Sequence, residues 1–508
     1  MTLKLKAWKS GVPASDVIRA NYQITGTVAA GEKHSLAVKA DGTVWSWGLN
    51  QYGGLGRAPY GGTTPNTSPG QVAITDVVAV AGGALHSLAL KRDGTVWAWG
   101  KADNGQVGPG SSSIAWDPIP VTGLSNVIAI AAASTHSLAL KNDGTVWIWG
   151  SDTMVNSSTP VQVAGLKGIT QIAAAWNQSV VLKTDGEDGG TAWMWGHNEQ
   201  GQLGDGTYTA RGAPVMVAGL NDIVAVDAGG VHTLAVRRDA TVWSWGWNNF
   251  SQLGGTSQSS RAVPGEAGIS IGTLGRTNPL AAQIYSTLVL MRPSITSKTQ
   301  IAGLGTNQSG ELGTGNITGI GTKPALSLMQ DAVVLTVAHS GSHTLAIHTD
   351  GRLFVWGYNG QGQLGDGSTT TRPTPAAISA FSLVDNSWLL LDSDSDGLSN
   401  VLEMELGTDP TNADTNGDGI PDGVAANSGA DATNPDVDGD GLTNAKEREI
   451  GTDPFQADTD GDGVPDKADC FPLDPGRSQC PAPVPGDVTP PVILLQEPTN
   501  AVLTGSTP

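Results

Sequence analysis

Cysteine is all but missing: the chain of 508 residues has two, Cys470 and Cys480. Disulfides therefore cannot frame anything upstream of them, and the larger part must be held by packing alone. Long apolar runs are missing too. No stretch of about 18 apolar residues occurs, so no transmembrane helix is expected. Lys4, Lys6 and Lys9 resemble the basic start of a signal peptide, but no apolar segment follows them, and no export signal is read here. No glycine-rich loop is followed by Lys-Ser or Lys-Thr, as a phosphate cradle would require. A basic surplus is absent as well. Before residue 386 the chain carries 23 Lys+Arg and 23 Asp+Glu, and after it 4 and 24. The net charge of −20 thus belongs to the tail, and no basic stripe is present to follow nucleic acid.

What the chain has in abundance is glycine (69) and proline (29), with only 15% charged residues, the composition of a turn-rich β protein. It also repeats itself. His34 to Gly48, HSLAVKADGTVWSWG, returns from His86, His136 and His232, and in weaker form from Gln178, Ser286 and His343. A period of about 50 residues marks an array of supersecondary units.

In each unit the strand after the opening histidine alternates bulky and small residues. Leu36 and Val38 share one face with His34, and Ser35 and Ala37 share the other. Neither face is charged, so each sheet is covered on both sides. Asp41-Gly42 signals a two-residue hairpin with positive φ at both central positions, repeated at Asp93-Gly94, Asp143-Gly144 and Asp350-Gly351. The strand after it carries Trp45 and Trp47 on one face. A third segment follows a proline (Pro118, Pro160, Pro214, Pro375) and suits an outer edge. A fourth, such as Val77 to Ala81, leads into the next histidine. Four antiparallel strands, apolar on both faces and written seven times, bury those faces by stacking into a ring. The expected fold is all-β: a seven-bladed β-propeller of four-stranded antiparallel blades, followed by an extended calcium-binding repeat segment.

The order GxxHSLAL, DGTVWxWG, NxxGQLGxG resembles the repeat of the regulator of chromosome condensation family over residues 22 to 385. That resemblance implies a propeller used for protein recognition. The family includes an exchange factor for a small GTPase, a plant ultraviolet photoreceptor, ubiquitin-ligase subunits and a secreted inhibitor of β-lactamase.

His, Ser and Asp in every unit raise the possibility of a hydrolase. His34 and Ser35 project to opposite faces, however, and cannot pair within their strand. A histidine at five of seven equivalent places suits structure better than catalysis, and paired tryptophans at spacing two suit blade packing. No catalytic residue is expected. The residue after each Trp-Gly or its equivalent differs from copy to copy: Leu49, Lys101, Ser151, His197, Trp247, Thr306 and Tyr358. One variable loop position per blade would place a ring of dissimilar side chains on one end, where a partner could be read, with Trp247 and Tyr358 as aromatic anchors.

From Asp392 the period shortens to 22 residues, with acidic loops starting at 392, 414, 436 and 458. The first offers Asp392, Asp394, Asp396, Leu398, Asn400 and Glu403, and the third Asp436, Asp438, Asp440, Leu442, Asn444 and Glu447. The second offers Asp414, Asn416, Asp418, Ile420 and Asp422, but Ala425 stands where its last carboxylate belongs. The fourth offers Asp458, Asp460, Asp462, Val464, Asp466 and Asp469. Oxygen ligands at alternate positions, a glycine at the sharp turn and a backbone carbonyl at position 7 suit Ca²⁺. Asn400 to Glu403 and Asn444 to Glu447 read as capping boxes of short helices ended by Gly407 and Gly451. The alternation of the halves is similar to thrombospondin type 3 repeats in their bacterial form. Cys470 and Cys480, beside such sites, are expected to form a disulfide.

The expected organisation is an N-terminal segment (1–21), the propeller (22–385), the calcium repeats (386–480), a proline-rich linker (481–491) and the start of an immunoglobulin-like module (492–508). The reading is of a piece of a longer extracellular or cell-surface protein. It is a non-catalytic recognition or adhesion module that meets a protein or surface ligand on one propeller face, without membrane insertion. A secreted inhibitor of a hydrolase would use the same face, and an exchange factor fits a calcium-loaded tail least.

Overall fold

The computed structural model describes residues 2–5, 18–21, 27–111, 113–184, 190–255, 259–272, 278–292, 298–318, 324–337, 341–348, 351–383, 393–398, 403, 406–428 and 430–477. Asp392, Asn400, Cys480 and the expected segments 481–491 and 492–508 lie outside them. The chain divides into two compact units, 1–391 and 392–508.

The first unit is all β. A two-stranded antiparallel pair comes first, β1 (Thr2–Leu5) with β2 (Ile18–Asn21). The first repeat then forms one sheet in the order β3 (Val28–Ala30), β4 (His34–Val38), β5 (Val44–Gly48), β6 (Asn66–Gln71). Four more sheets have the same four antiparallel strands in chain order, and one has eight. The eight-stranded sheet is two such sets, 169–216 and 223–270, joined by the single bridge of Gly190 to Ile223.

The expected alternation decides the packing. Every residue of β4 is buried, so both of its faces are covered. Trp47, Trp99, Trp149, Trp195, Trp245 and Trp356 have no exposed surface and fill the spaces between successive sheets. Truncating a tryptophan at such a place costs roughly 3–5 kcal/mol. The proline-bearing segments are the outermost strands, as their missing N–H groups require.

The hairpin turns differ from expectation. Gly42 N donates to Lys39 O at 2.9 Å and Lys39 N to Thr43 O at 2.9 Å, so the loop has three residues, and only its last, Gly42, has positive φ (77°). Asp41 is not a left-handed turn residue. Its Oδ1 accepts from Thr43 N at 2.9 Å and Thr43 Oγ1 at 2.6 Å, closing the turn from the side chain. At the fifth repeat Ala240 takes the glycine's place at φ 64°.

Among its described residues the second unit has two helices, α1 (Asp422–Ser428) and α2 (Asn444–Ile450), between acidic turns. Thr443, not Asn444, caps α2, accepting from Lys446 N, while Gly451 ends it at φ 86° as expected. The capping box at Asn444 to Glu447 is therefore not formed. Glu447 is instead turned into an acidic cluster.

Candidate functional site

The histidines and hydroxyls that suggested a hydrolase do meet, but between neighbouring repeats. His34 Nε2 lies 2.8 Å from Ser87 Oγ, His86 2.9 Å from Ser137, His136 2.8 Å from Ser179 and His232 2.9 Å from Thr287. His343 of the last repeat reaches Ser35 of the first at 2.9 Å. Where Gln178 replaces histidine, its Nε2 donates to the carbonyls of Gly229 and His232.

The hydroxyls of Ser35, Ser87, Ser137 and Thr287 are committed. Ser35 Oγ donates to Gln363 O at 2.8 Å, Ser87 to Gly54 O at 2.8 Å and Ser137 to Gln106 O at 2.9 Å. The hydroxyl hydrogen being spent, the imidazole Nε2 must be the donor, which fixes the neutral tautomer with a bare Nδ1. The buried tryptophan of the same repeat donates to the same carbonyl: Trp47 to Gln363 O and Trp99 to Gly54 O. Burial lowers His34 to about 4 and His86 and His343 to about 3, and it lowers His136 as well. A hydroxyl with no exposed surface, already donating to a backbone carbonyl, is not placed to act as a nucleophile. These groups are seams between sheets.

The glycine that ends each third strand sets the variable position beyond it. Gly48 has φ 106°, and a Cβ there would lie 2.4 Å from Lys33 O; Gly196 has φ 112° and its Cβ would lie 2.2 Å from Asn177 O. The close approach lets the next N–H bond that same carbonyl in every repeat. Leu49 N donates to Lys33 O at 2.9 Å, Lys101 to Leu85 at 3.0 Å, Ser151 to Thr135 at 2.8 Å and His197 to Asn177 at 2.9 Å. Trp247 donates to Val231 at 2.9 Å, Thr306 to Tyr285 at 3.1 Å and Tyr358 to Ser342 at 2.8 Å.

None of the predicted variable residues is buried. Each is locked beside a second variable residue, the one before the histidine, which the sequence reading missed. The face is therefore two residues wide on the repeats other than the fifth, where Val231 is buried. Its aromatic part lies across the fifth and sixth repeats: Trp247 packs on Tyr285 at 5.0 Å and on Phe250 at 5.5 Å, and Phe250 meets Tyr285 at 5.3 Å. Phe250 and Tyr358 are exposed. Elsewhere the charges are paired locally, Lys33 with Glu32 and Lys101 with Asp103, and His197 lies beside Glu199 at 3.6 Å.

Among the described residues of the second unit three acidic clusters hold ligand atoms within 4.8 Å of one another: Asp394, Asp396 and Glu403; Asp436, Asp438 and Asp440; and Asp458, Asp460 and Asp462. Glu447 lies near enough to the second to feel the charges of its three aspartates, and has no exposed surface. Both its oxygens are without a hydrogen-bond partner among the described residues. Burial, then the charges of Asp438, Asp440, Asp466 and Asp436, raise it to about 7. Asp469, 2% exposed, has a similar orphan Oδ2. Buried carboxylates crowded in this way call for a cation, and an all-oxygen set fits Ca²⁺.

The predicted ligands divide. Leu398, Ile420, Leu442 and Val464 each donate the backbone N–H to the position-5 aspartate of their own loop, as at Leu398 N to Asp396 Oδ1, 2.7 Å. Asp422 and Asp466 brace the start of their loops, accepting from Thr415 and Thr459. Gly423 N reaches back to Asp396 Oδ2 and Lys467 N to Asp440 Oδ2, so the second loop folds on the first and the fourth on the third. Asn444 is not free to serve its loop: its Oδ1 accepts from Val437 N and its Nδ2 donates to Asp418. Cys470 is disulfide-bonded.

Residues 41–90, 93–140, 189–236 and 350–386 match the regulator of chromosome condensation repeat, and a second model of the repeat adds 27–53, 77–106, 127–154, 223–252 and 334–363. Residues 392–413 and 436–457 match the bacterial thrombospondin type 3 repeat. The chain is 28% identical over 371 residues to the ultraviolet-B receptor UVR8 of Arabidopsis thaliana, covering 72% of each. It is 29% identical over 208 residues to the human E3 ubiquitin-protein ligase HERC2, which is 41% of this chain but 3% of that protein. Among solved structures, Prp20p of Saccharomyces cerevisiae superposes with a TM-score of 0.59 at 20% identity, over 68% of this chain and 87% of that one. Human WBSCR16 superposes with a TM-score of 0.57 at 22% identity, over 67% and 94%.

Proposed function

We propose that this regulator of chromosome condensation repeat protein, with bacterial thrombospondin type 3 repeats in its acidic tail, is a non-catalytic recognition module working outside the cell. Its propeller reads a protein partner on the face that carries the residues after each Trp-Gly. The observation that carries this reading is the pairing on that face, where seven backbone hydrogen bonds each hold two positions that vary between repeats side by side on a rigid frame. Variation concentrated on fixed positions is what recognition needs, and the aromatic trio of Trp247, Phe250 and Tyr285 offers the kind of anchor that dominates interfaces.

Seven blades are the natural reading of five four-stranded sheets and one of eight, with Ser35 and His343 joining the last to the first. The tail would hold Ca²⁺ through Asp394, Asp396 and Glu403, and through the clusters of the loops starting at 436 and 458. The ion would supply charge neutralisation there, ordering 24 acidic residues as a stiff stalk. Calcium at extracellular concentrations and a disulfide at Cys470 both support a secreted or surface location.

The test is capture of partners by the immobilised full chain in millimolar Ca²⁺, alongside Trp247→Ala and Tyr358→Ala chains. A partner held by the native face and released by Trp247→Ala supports the reading. Equal capture by all three, or acceleration of nucleotide release from a GTPase, overturns it.

A further inference from the structure

Of the four acidic loops, only those starting at 392 and 436 fall within the matched thrombospondin segments. We propose that the loop at 458–469 is a complete calcium site while the loop at 414–425 holds no ion, so that the chain takes up three Ca²⁺ ions. The proposal rests on the calcium reading above and divides it loop by loop.

Position 3 separates the loops atom by atom. In the third and fourth loops Asp438 and Asp460 accept, on Oδ1, the N–H two residues on, at 3.2 and 3.1 Å. The Oδ2 of each is buried and has no hydrogen-bond partner among the described residues. In the second loop Asn416 makes the same backbone contact, its Oδ1 accepting from Asp418 N at 2.9 Å. Where the others hold an unmet oxygen, Asn416 holds an amide nitrogen. That nitrogen donates to Asp418 Oδ2 at 2.7 Å, Ala432 O at 3.1 Å and Asn434 O at 3.2 Å. A donor facing the oxygen and three acceptors facing the nitrogen leave one orientation for the amide. Asn444 Nδ2 adds a second donor to Asp418 Oδ2 at 2.6 Å. The charge of Asp418 is therefore met by two amides.

Position 12 agrees. Glu447 and Asp469 are 0% and 2% exposed and keep orphan oxygens. The second loop has Ala425 there, 3% exposed and packed with Ile420 and Ala432. Ca²⁺ takes six to eight oxygens, and the carboxylate at position 12 is the ligand that closes its shell. The fourth loop supplies that oxygen and the second supplies a methyl group. The second loop needs no ion to keep its shape, since Asp414 accepts from the N–H groups of Gly417, Asp418 and Gly419. It is a hydrogen-bonded connector.

Native mass spectrometry and equilibrium dialysis of the full chain in millimolar Ca²⁺ count the ions. The native chain should carry three, Asp460→Asn and Asp469→Asn two each, and Asp414→Asn still three. Asp469→Asn repeats the fourth-loop test independently of Asp460, and an unchanged far-ultraviolet circular dichroism spectrum identifies variants that have kept their fold. The double change Asn416→Asp with Ala425→Glu, which restores both missing oxygens, should raise the count to four. A native count of two or four, or a fall on Asp414→Asn, overturns the division while leaving calcium binding intact. A count of zero overturns the calcium reading as well.

Discussion

His343 and Ser35 stand 308 positions apart in sequence and 2.9 Å apart in space, the imidazole Nε2 donating to the hydroxyl. The bond is of the same kind as those between consecutive repeats, at His34 with Ser87 and His86 with Ser137. The first and last repeats are thus joined by the same chemistry that joins neighbours, and across the same seam Ala40 N donates to Leu383 O at 2.9 Å and Phe381 packs on Trp45 and Trp47.

A seam made this way should be no weaker than the others. Ser35→Ala removes the acceptor of His343 and one of the two donors to Gln363 O, leaving a buried N–H unmet, which costs about 1–3 kcal/mol. Ser137→Ala breaks an inner seam and should lower the melting temperature by a similar amount. A much larger drop for Ser35→Ala would mean that the ring opens there first.

Acid should loosen all these seams together. His34, His86 and His343 are held neutral, with pKa values of about 4, 3 and 3, whereas the unfolded chain protonates them near 6.5. The unfolded state therefore binds more protons below that value, and stability falls as pH falls from about 6.5 towards 4. At pH 5 the loss is roughly 2 kcal/mol per histidine. The turn aspartates Asp41, Asp93, Asp143 and Asp239, lowered by their threonine hydrogen bonds, begin to matter only below 3.8, so they do not blur this window. Melting curves of the full chain between pH 7.5 and 5 in excess Ca²⁺ should show a steady decline, and a flat profile would contradict the neutral seams.

The glycine before each variable residue can be tested against a control. A Cβ at Gly196 would stand 2.2 Å from Asn177 O at φ 112°, so Gly196→Ala must break either the strand end or the bond that places His197. At Gly62 the nearest neighbour is Thr64 N at 3.9 Å. Gly62→Ala should leave the melting temperature within a degree or two, and Gly196→Ala should lower it by an amount worth about 3 kcal/mol or more.

Much of this was legible because the repeats state it several times. Leu36 beside Ser35 gave a sheet covered on both faces, and Pro118 and Pro214 gave the outer edge. The His–Ser pairing was not legible, because the partner of His34 is Ser87, a full repeat away, and alternation along one strand says only that His34 and Ser35 diverge. The second residue of the proposed face was hidden for a related reason. Lys33 and Tyr285 look like loop variation until the hydrogen bonds from Leu49 and Thr306 show that each is held beside the predicted position. Their fixed place, one before the histidine or the residue that replaces it, was the available signal. In the tail, Asn444 satisfied the ligand pattern, but its amide is engaged with Val437 and Asp418, and Thr443 does the capping assigned to it.

Removing calcium should act on the tail and spare the sheets. Glu447 and Asp469 are buried with orphan oxygens among crowded aspartates, an arrangement that a chelator leaves with uncompensated charge. The described regular structure that would resist that repulsion is α1 and α2, of 7 residues each. The sheets of the first unit, by contrast, are closed by neutral groups: the seams are imidazole, hydroxyl and carbonyl, and the buried tryptophans add no charge. Limited proteolysis of the full chain in excess chelator should therefore cut first within 393–477 and leave 27–383 protected, whereas in millimolar Ca²⁺ both should resist. Glu447→Gln, which keeps the size of the side chain and removes its charge, should make the tail less sensitive to chelator and weaken its calcium protection. A tail cleaved at the same rate with and without Ca²⁺ would show that its acidic loops are held by hydrogen bonds alone.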